Sequence, residues 1–146
     1  MYDKGIGFVG AAMVVGKHGH RYVVLHLLCQ GLELLGKSFL LFRDYNKYDR
    51  LLRKHIGHDL EKLVHTLGTE FGLGRPSKAF ANEMKQLNAL YKNHRLRYGS
   101  VSDMMIDPRS IPFRRVLGRL KAAIRVANPQ LPSDVVRTAA DLGMRP

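Results

Sequence analysis

Apolar side chains recur at steps of three and four between His20 and Tyr45, and this spacing constrains the fold more than any other feature of the chain. Side chains three and four residues apart share one face of an α-helix, so the spacing predicts a long helix with one buried side. The predicted buried positions are Val24, Leu28, Gly31, Leu35, Phe39 and Phe42. No segment shows the alternation of a half-buried strand, and the expected fold class is therefore all-α.

The rest of the chain predicts further helices separated by breakers. They span residues 5–16, 58–71, 77–98, 110–127 and 133–142, the last being a short C-terminal helix. Residues 46–57 are interpreted as a basic connection, and Ser77 as the cap of the helix that follows it. With 146 residues, of which 45% are hydrophobic, the chain can bury a core of its own. We therefore expect residues 1–146 to form one domain, a helical bundle.

The charge of the chain is strongly one-sided. Lysine and arginine outnumber acidic residues by 24 to 12, a formal net charge of +12 with histidine neutral. Such a charge attracts polyanions, so nucleic acid is the favoured partner, ahead of an acidic protein or an anionic membrane surface. The segment between Pro108 and Pro132 has no carboxylate. Its six cations are Arg109, Arg114, Arg115, Arg119, Lys121 and Arg125. The alternative is a soluble basic protein without such a partner.

Two features bear on location. The single cysteine, Cys29, lies in an apolar run and is expected to be a buried, unreactive thiol. The uncharged run 5–16 lacks a small-residue cleavage site and is shorter than the roughly 20 residues that span a bilayer. We therefore interpret this run as part of the mature fold, and expect a cytoplasmic protein without a membrane segment.

Two histidines and an aspartate, His55, His58 and Asp59, stand where a helix is expected to begin. The two imidazoles are candidates for a general acid and base near neutral pH, with Asp59 orienting an imidazole and Arg53 supplying a cation. The alternative is structural, with Asp59 complementing the positive end of the helix dipole beside solvated histidines. The spacing of His58 and His65 lacks the His-x-x-x-His pattern of a zinc site, so no metal or other cofactor is expected.

Two further polar groups are candidates for ligand binding. The long helix carries a polar stripe made of His26, Gln30, Glu33 and Lys37. This stripe is either a solvated face or part of a groove or subunit interface. At the end of helix 77–98, Arg95 and Arg97 either complement the negative end of the helix dipole or bind phosphate, and Tyr98 could then stack on a base.

Three short motifs, at residues 32–41, 57–63 and 95–99, resemble in their order the HEPN (higher eukaryotes and prokaryotes nucleotide-binding) family. The resemblance covers about residues 8–128. It implies an up-and-down bundle of four or five helices that pairs as a homodimer. The positions that match the family's motifs are Glu33, Lys37, His58, Asp59, Arg97 and Tyr98.

The resemblance implies one of two activities. Many HEPN proteins are metal-independent ribonucleases that use an arginine followed a few residues later by a histidine. Others bind RNA or a nucleotide without cleaving it, or pair with a nucleotidyltransferase. In this chain no histidine follows Arg95 or Arg97, and the required spacing occurs earlier, as from Arg53 to His58. The sequence therefore predicts a domain that binds RNA or a nucleotide through a basic surface without catalysis.

Two alternatives remain open. One is a toxin-like, metal-independent endoribonuclease that uses Arg53, His55 and His58, and the other is a structural partner of an acidic protein. The candidate binding residues are Glu33, Lys37, His58, Asp59, Arg95, Arg97, Tyr98, Arg114, Arg115 and Arg119.

Overall fold

The computed structural model describes residues 1–16, 21–98, 110, 111, 115, 116, 118, 119, 122 and 126. Its helices are α1 (Tyr2–Val15), α2 (Arg21–Arg43), α3 (Tyr45–Leu51), α4 (Leu60–Glu70), α5 (Lys78–Lys92) and α6 (Arg95–Tyr98), with a π-helical turn at Leu52–Ile56. No strand occurs within the described residues, which confirms the all-α class for that part of the chain. The predicted loop 99–107, most of helix 110–127 and the short C-terminal helix lie outside the described residues.

Glycines let α1 and α2 approach each other closely. A Cβ atom at Gly5 would lie 2.8 Å from Cγ of Leu35, and one at Gly31 would lie 2.5 Å from a methyl carbon of Val9. Early residues of α1 thus meet late residues of α2, so the two helices are antiparallel. The predicted first helix is confirmed, and its small residues serve this contact.

The buried side of α2 follows most of the predicted stripe. Val24, Gly31, Leu35 and Phe39 are buried, Leu28 is half-buried, and Phe42 is 48% exposed. Phe42 lies at the end of the α1–α2 contact, with its ring beside that of Tyr2, because α1 begins there. By length and composition α2 could also cross a membrane, and 61% of its most apolar stretch is buried; core helices of soluble proteins and signal sequences near the N-terminus pass the same test.

The predicted connection 46–57 is wrong, because α3 and the π-helical turn occupy it. The side chain of Asp44 caps α3 by accepting a hydrogen bond from the Lys47 backbone N–H. At steps of four, Tyr48, Leu52 and Ile56 are buried while the basic residues stay on the exposed side. The sequence contains this helical spacing of apolar residues, but the many cations between them led to the interpretation of the segment as a connection.

The start of α4 and the start of α5 are capped as expected. Asp59 accepts a hydrogen bond from the Lys62 backbone N–H at 3.2 Å, and Ser77 accepts one from Phe80 at 3.2 Å. The inward residues of the two helices are buried, namely Leu60, Leu63, Leu67, Phe80, Met84, Leu87, Leu90 and Tyr91. The single helix predicted over 77–98 is wrong, because His94, with a φ of 57°, separates α5 from α6.

Contacts along the chain define how these helices run. α2 and α4 are parallel, since a Cβ at Gly36 would meet Leu63 and Leu67 while Phe39 packs against Phe71. α3 is antiparallel to α4, because Tyr48 bonds to Glu70 whereas the His55 carbonyl accepts from Lys62. α5 is also antiparallel to α4, as Leu60 bonds to Asn88 while Asp59 pairs with Lys92. These directions bring the start of α4 and the end of α5 beside the middle of α2.

We expect Gly31→Ala to lower the free energy of unfolding by about 1 kcal/mol. Alanine adds about 1 kcal/mol of helix propensity, but the new methyl group would overlap the stiff Val9 side chain, and such overpacking costs roughly 1–3 kcal/mol. Urea denaturation measures the difference. Gly7→Ala is the matched control, since a Cβ there meets nothing within 4 Å, and it should stabilise the protein. Equal effects of the two substitutions would contradict this account of the α1–α2 contact.

Candidate functional site

A buried carboxylate lies at the centre of the polar stripe on α2. Glu33 is only 4% exposed. Its two oxygens accept hydrogen bonds from Lys37 Nζ at 2.6 Å, from the Tyr91 hydroxyl at 2.5 Å and from His58 Nδ1 at 3.0 Å. Lys37 lies one turn along α2, Tyr91 lies on α5, and His58 precedes α4. Glu33 therefore joins three parts of the chain and is not part of a solvated helix face.

The donors around Glu33 keep it ionised. Burial alone raises the pKa of this carboxyl group. The hydrogen bonds from Lys37, Tyr91 and His58 together lower it by more than burial raises it, so the pKa lies below its ordinary value of 4.5. At neutral pH the group is a carboxylate with a cation and a phenol held against it. Such a buried charge is tolerated only because it is paired and hydrogen-bonded.

His58 connects Glu33 to the surface. Its side chain is 56% exposed even though Nδ1 bonds to the carboxylate. In the neutral ring this bond places the proton on Nδ1, which leaves Nε2 as an acceptor on the side of the ring away from Glu33. A carboxylate that orients a histidine in this way is a common feature of sites that transfer protons or bind anions. The carboxylate expected from the sequence for this role was Asp59, but the structure places Glu33 there.

Four side chains line a narrow crevice at His58, which we call the His58 crevice: His26, His58, Tyr91 and His94. The ring centroids of His58 and His94 are 5.8 Å apart, and those of His26 and Tyr91 are 6.2 Å apart. Tyr91 and His94 directly precede Arg95 and Arg97, in the segment whose sequence suggested phosphate recognition, whereas His26 was noted only as part of the polar stripe. Tyr91 and His94 are three residues apart, but only packing brings them to His26 and His58.

Asp59 lies beside the crevice and has a structural role. Besides capping α4, its carboxylate accepts from Lys92 Nζ at 2.8 Å and from the Asn88 side chain at 3.1 Å. Burial raises its pKa, but Lys92 and the other donors lower it more, to below the ordinary value of 3.8. Asp59 thus fixes the start of α4 against α5, which holds the adjacent His58 in place.

The proposed acid–base pair of His55 and His58 is not brought together. His55 lines a separate groove of about 970 Å³ along α4 and α5, with an apolar floor that includes Leu51, Val64 and Met84. Arg53, 74% exposed at its side chain, pairs with Asp49. The cause is local. The π-helical turn ends at Gly57, which has a left-handed φ of 53°, and the chain changes direction there, so His55 lines the groove and His58 lines the crevice.

The predicted basic residues divide between two regions. Arg95, Arg97 and Tyr98 form α6, which directly follows His94 and contacts α2 and α5. Arg115 pairs with the buried Glu83 at 3.3 Å, whose other oxygen accepts from the Val116 backbone N–H. Arg119 donates to the Gly74 carbonyl at 2.6 Å. These two arginines therefore attach their segment to α5 and to the α4–α5 connection, away from the His58 crevice, and Arg114 lies outside the described residues.

No group of three or more histidine, cysteine or acidic side chains within the described ranges could hold a metal ion. Cys29 is buried, and burial raises the pKa of its thiol well above its ordinary range. An inert thiol was expected from the sequence, and the burial agrees with it. The crevice itself is lined by three imidazoles and a phenol, and the Glu33 carboxylate accepts hydrogen bonds from two of these groups, His58 and Tyr91.

We expect Glu33→Gln to lower the free energy of unfolding at pH 7 by about 2 kcal/mol, because it weakens charge-assisted hydrogen bonds to three partners. A carboxyl group whose pKa is lowered by folding stabilises the protein above its ordinary value of 4.5, and this contribution is lost as the pH falls below it. The variant should therefore lose less stability than the parent between roughly pH 5 and pH 3.

Urea denaturation across this pH range measures both effects. Asp3→Asn, which removes an exposed carboxylate in the first turn of α1, is the control and should change stability little. An unchanged acid sensitivity in Glu33→Gln would contradict the role given to this carboxylate.

Comparison with known proteins does not assign this site. No family model, curated protein or solved structure shows a significant match to the chain. The HEPN resemblance consequently still rests on the three motifs, and the function has to be argued from the chemistry of the His58 crevice.

Proposed function

We propose that this chain is a HEPN-like helical domain, with a core of about residues 8–128, that binds RNA or a nucleotide at the His58 crevice and does not cleave it. The domain is an up-and-down bundle of four to five helices that acts as a cytoplasmic homodimer. The antiparallel pairs α1–α2, α3–α4 and α4–α5 support this bundle. Beyond Lys4 the outer face of α1 is uncharged, with Val14 72% exposed, and it offers two copies of a +12 chain a contact with little repulsion.

The observation that carries the binding proposal is the set of donors fixed by Glu33. Lys37, His58 and Tyr91 are held by one buried carboxylate, and the imidazole of His58 is open to solvent. Groups that are already ordered lose little conformational entropy when a ligand arrives. On a protein with a net charge of +12, the exposed imidazole of His58 in this fixed orientation suits a phosphate of RNA or of a nucleotide.

The surroundings of the crevice add positive charge. Lys92, 53% exposed at its side chain, lies at the end of α5, and Arg95 begins α6. Arg53 pairs with Asp49 and does not line this crevice. In the sequence after α5, no histidine follows an arginine. The absence of an arginine-to-histidine spacing after α5, together with the pairing of Arg53 with Asp49, favours binding over cleavage.

A short fluorescent single-stranded RNA should bind with an affinity that falls steeply with salt, by about 0.7 log units per log unit of salt for each phosphate contacted. Arg95→Ala should weaken binding and reduce this slope. Lys78→Ala is the matched control, because Lys78 starts α5, about 20 Å along the helix from Lys92. Fluorescence anisotropy measures the affinity, and sedimentation of the same samples reports whether the chain is a dimer. Salt-independent binding, or none, would exclude the proposal.

A second candidate function, metal-independent cleavage of RNA, is favoured by one specific observation. Glu33 orients His58 with its second ring nitrogen outward, and the ring of His94 lies 5.8 Å away. Two imidazoles at this separation can act as base and acid on one phosphodiester. The base would take the proton of the 2′-hydroxyl as that oxygen attacks phosphorus, and the acid would protonate the leaving 5′-oxygen.

If this second function operates, purified protein should cleave RNA in the presence of a chelator to leave a 2′,3′-cyclic phosphate and a 5′-hydroxyl. His58→Gln should reduce the rate by about 100-fold or more, as expected for loss of a general acid or base. His65→Gln changes an exposed histidine that lines the separate groove and should leave the rate unchanged. RNA that stays intact with the parent protein would leave binding as the function.

A further inference from the structure

We propose that His94, together with His58, binds a terminal phosphate monoester, such as that of a nucleotide or of an RNA end. This inference rests on the proposed function, because it names the group that the His58 crevice recognises. It adds His94, which lies directly before the predicted phosphate-binding residues Arg95 and Arg97 but had no role of its own assigned from the sequence.

The backbone of His94 is the first observation. Among the described residues it is the one non-glycine residue with a positive φ, at 57°. It follows Asn93, the C-cap of α5, at the position where helices usually end with glycine because other side chains are strained there. A histidine held in this conformation places its imidazole at the mouth of the crevice. Strained residues of this kind cluster at functional sites.

The arrangement of the two rings is the second observation. The His58 and His94 planes cross at 70° with centroids 5.8 Å apart, and both residues are exposed. Their ring edges can therefore face one small group from two directions. His26 and Tyr91 line the crevice beside them and narrow it. The crevice is too narrow to admit a ligand, so a phosphate would meet the exposed edges of His58 and His94 from the outside.

Charge favours a phosphate monoester as that group. A monoester carries about −1.5 to −2 charges at pH 7 and three acceptor oxygens. When the ring of His58 is protonated, its Nδ1–H stays on Glu33 and its Nε2–H can donate to one phosphate oxygen while the His94 ring donates to another. A diester carries a single charge and has two free oxygens. Lys37 and Lys92 are each paired with a carboxylate near the crevice, so the positive potential there comes from the +12 net charge of the chain.

The test compares short RNAs of one sequence that carry a 5′-phosphate, a 3′-phosphate or hydroxyl groups at both ends. The parent protein should bind one phosphorylated end about tenfold more tightly than the hydroxyl ends, the contribution expected of charge-assisted hydrogen bonds. Adenosine 5′-monophosphate should compete for the site, whereas adenosine should not. Competition by inorganic phosphate at equal strength would show that the phosphate alone is recognised, and weaker competition would show that the nucleoside also contributes.

Two substitutions separate the imidazole of His94 from its backbone conformation. His94→Asn keeps a residue that tolerates a positive φ, and His94→Gly relieves the strain. Both should fold with urea midpoints no lower than that of the parent and should lose the preference for the phosphorylated end. His65→Asn, at an exposed histidine of the separate groove, is the control and should keep the preference.

The outcomes distinguish this inference from the proposed function. Salt-sensitive RNA binding without any preference for a phosphorylated end, or a preference that survives in His94→Asn and His94→Gly, overturns the role of His94 but leaves RNA binding intact. Failure of adenosine 5′-monophosphate and inorganic phosphate to compete also overturns it. If the parent protein binds no RNA and no phosphate, both proposals fall.

Discussion

The buried carboxylate of Glu33 is the interaction on which the rest of the site depends. Removing an ionised carboxylate from water is costly, and an unpaired one would not persist at 4% exposure. Three side chains donate hydrogen bonds to it: Lys37 on α2, His58 just before α4, and Tyr91 on α5. These three hydrogen bonds offset the cost of burying the carboxylate. Two of them also fix the positions of His58 and Tyr91, which line the crevice. Stability and the geometry of the site therefore depend on one side chain.

This interaction is possible because α2 has small residues on two of its sides. Gly31 allows α1 to approach one side, where a Cβ would lie 2.5 Å from Val9. Gly36 allows α4 to approach another, where a Cβ would lie 2.9 Å from a methyl carbon of Leu67. With α4 this close, the residues that precede it reach the middle of α2, and His58 meets Glu33. Larger side chains at either glycine would move the neighbouring helix outward, so helix packing sets the geometry of the crevice.

The sequence predicted the features that depend on near neighbours. The buried stripe of α2, the caps Asp59 and Ser77, and the buried Cys29 all follow from local spacing or local composition. It failed where two local signals competed. In residues 46–57 the abundant cations obscured the apolar spacing of Tyr48, Leu52 and Ile56. At His94 no glycine or proline marks the end of α5, so the break there had no recognisable signal.

The sequence by itself determined the helical class and the excess of positive charge, because both depend on composition and on spacings of three and four residues. Only the tertiary structure decided that Glu33, rather than Asp59, holds His58, and that His55 belongs to a different depression. The pairs that define the crevice lie far apart along the chain, 25 residues for Glu33 and His58 and 58 residues for Glu33 and Tyr91. Such pairs form through the packing of α2, α4 and α5, and no periodicity within one helix specifies them.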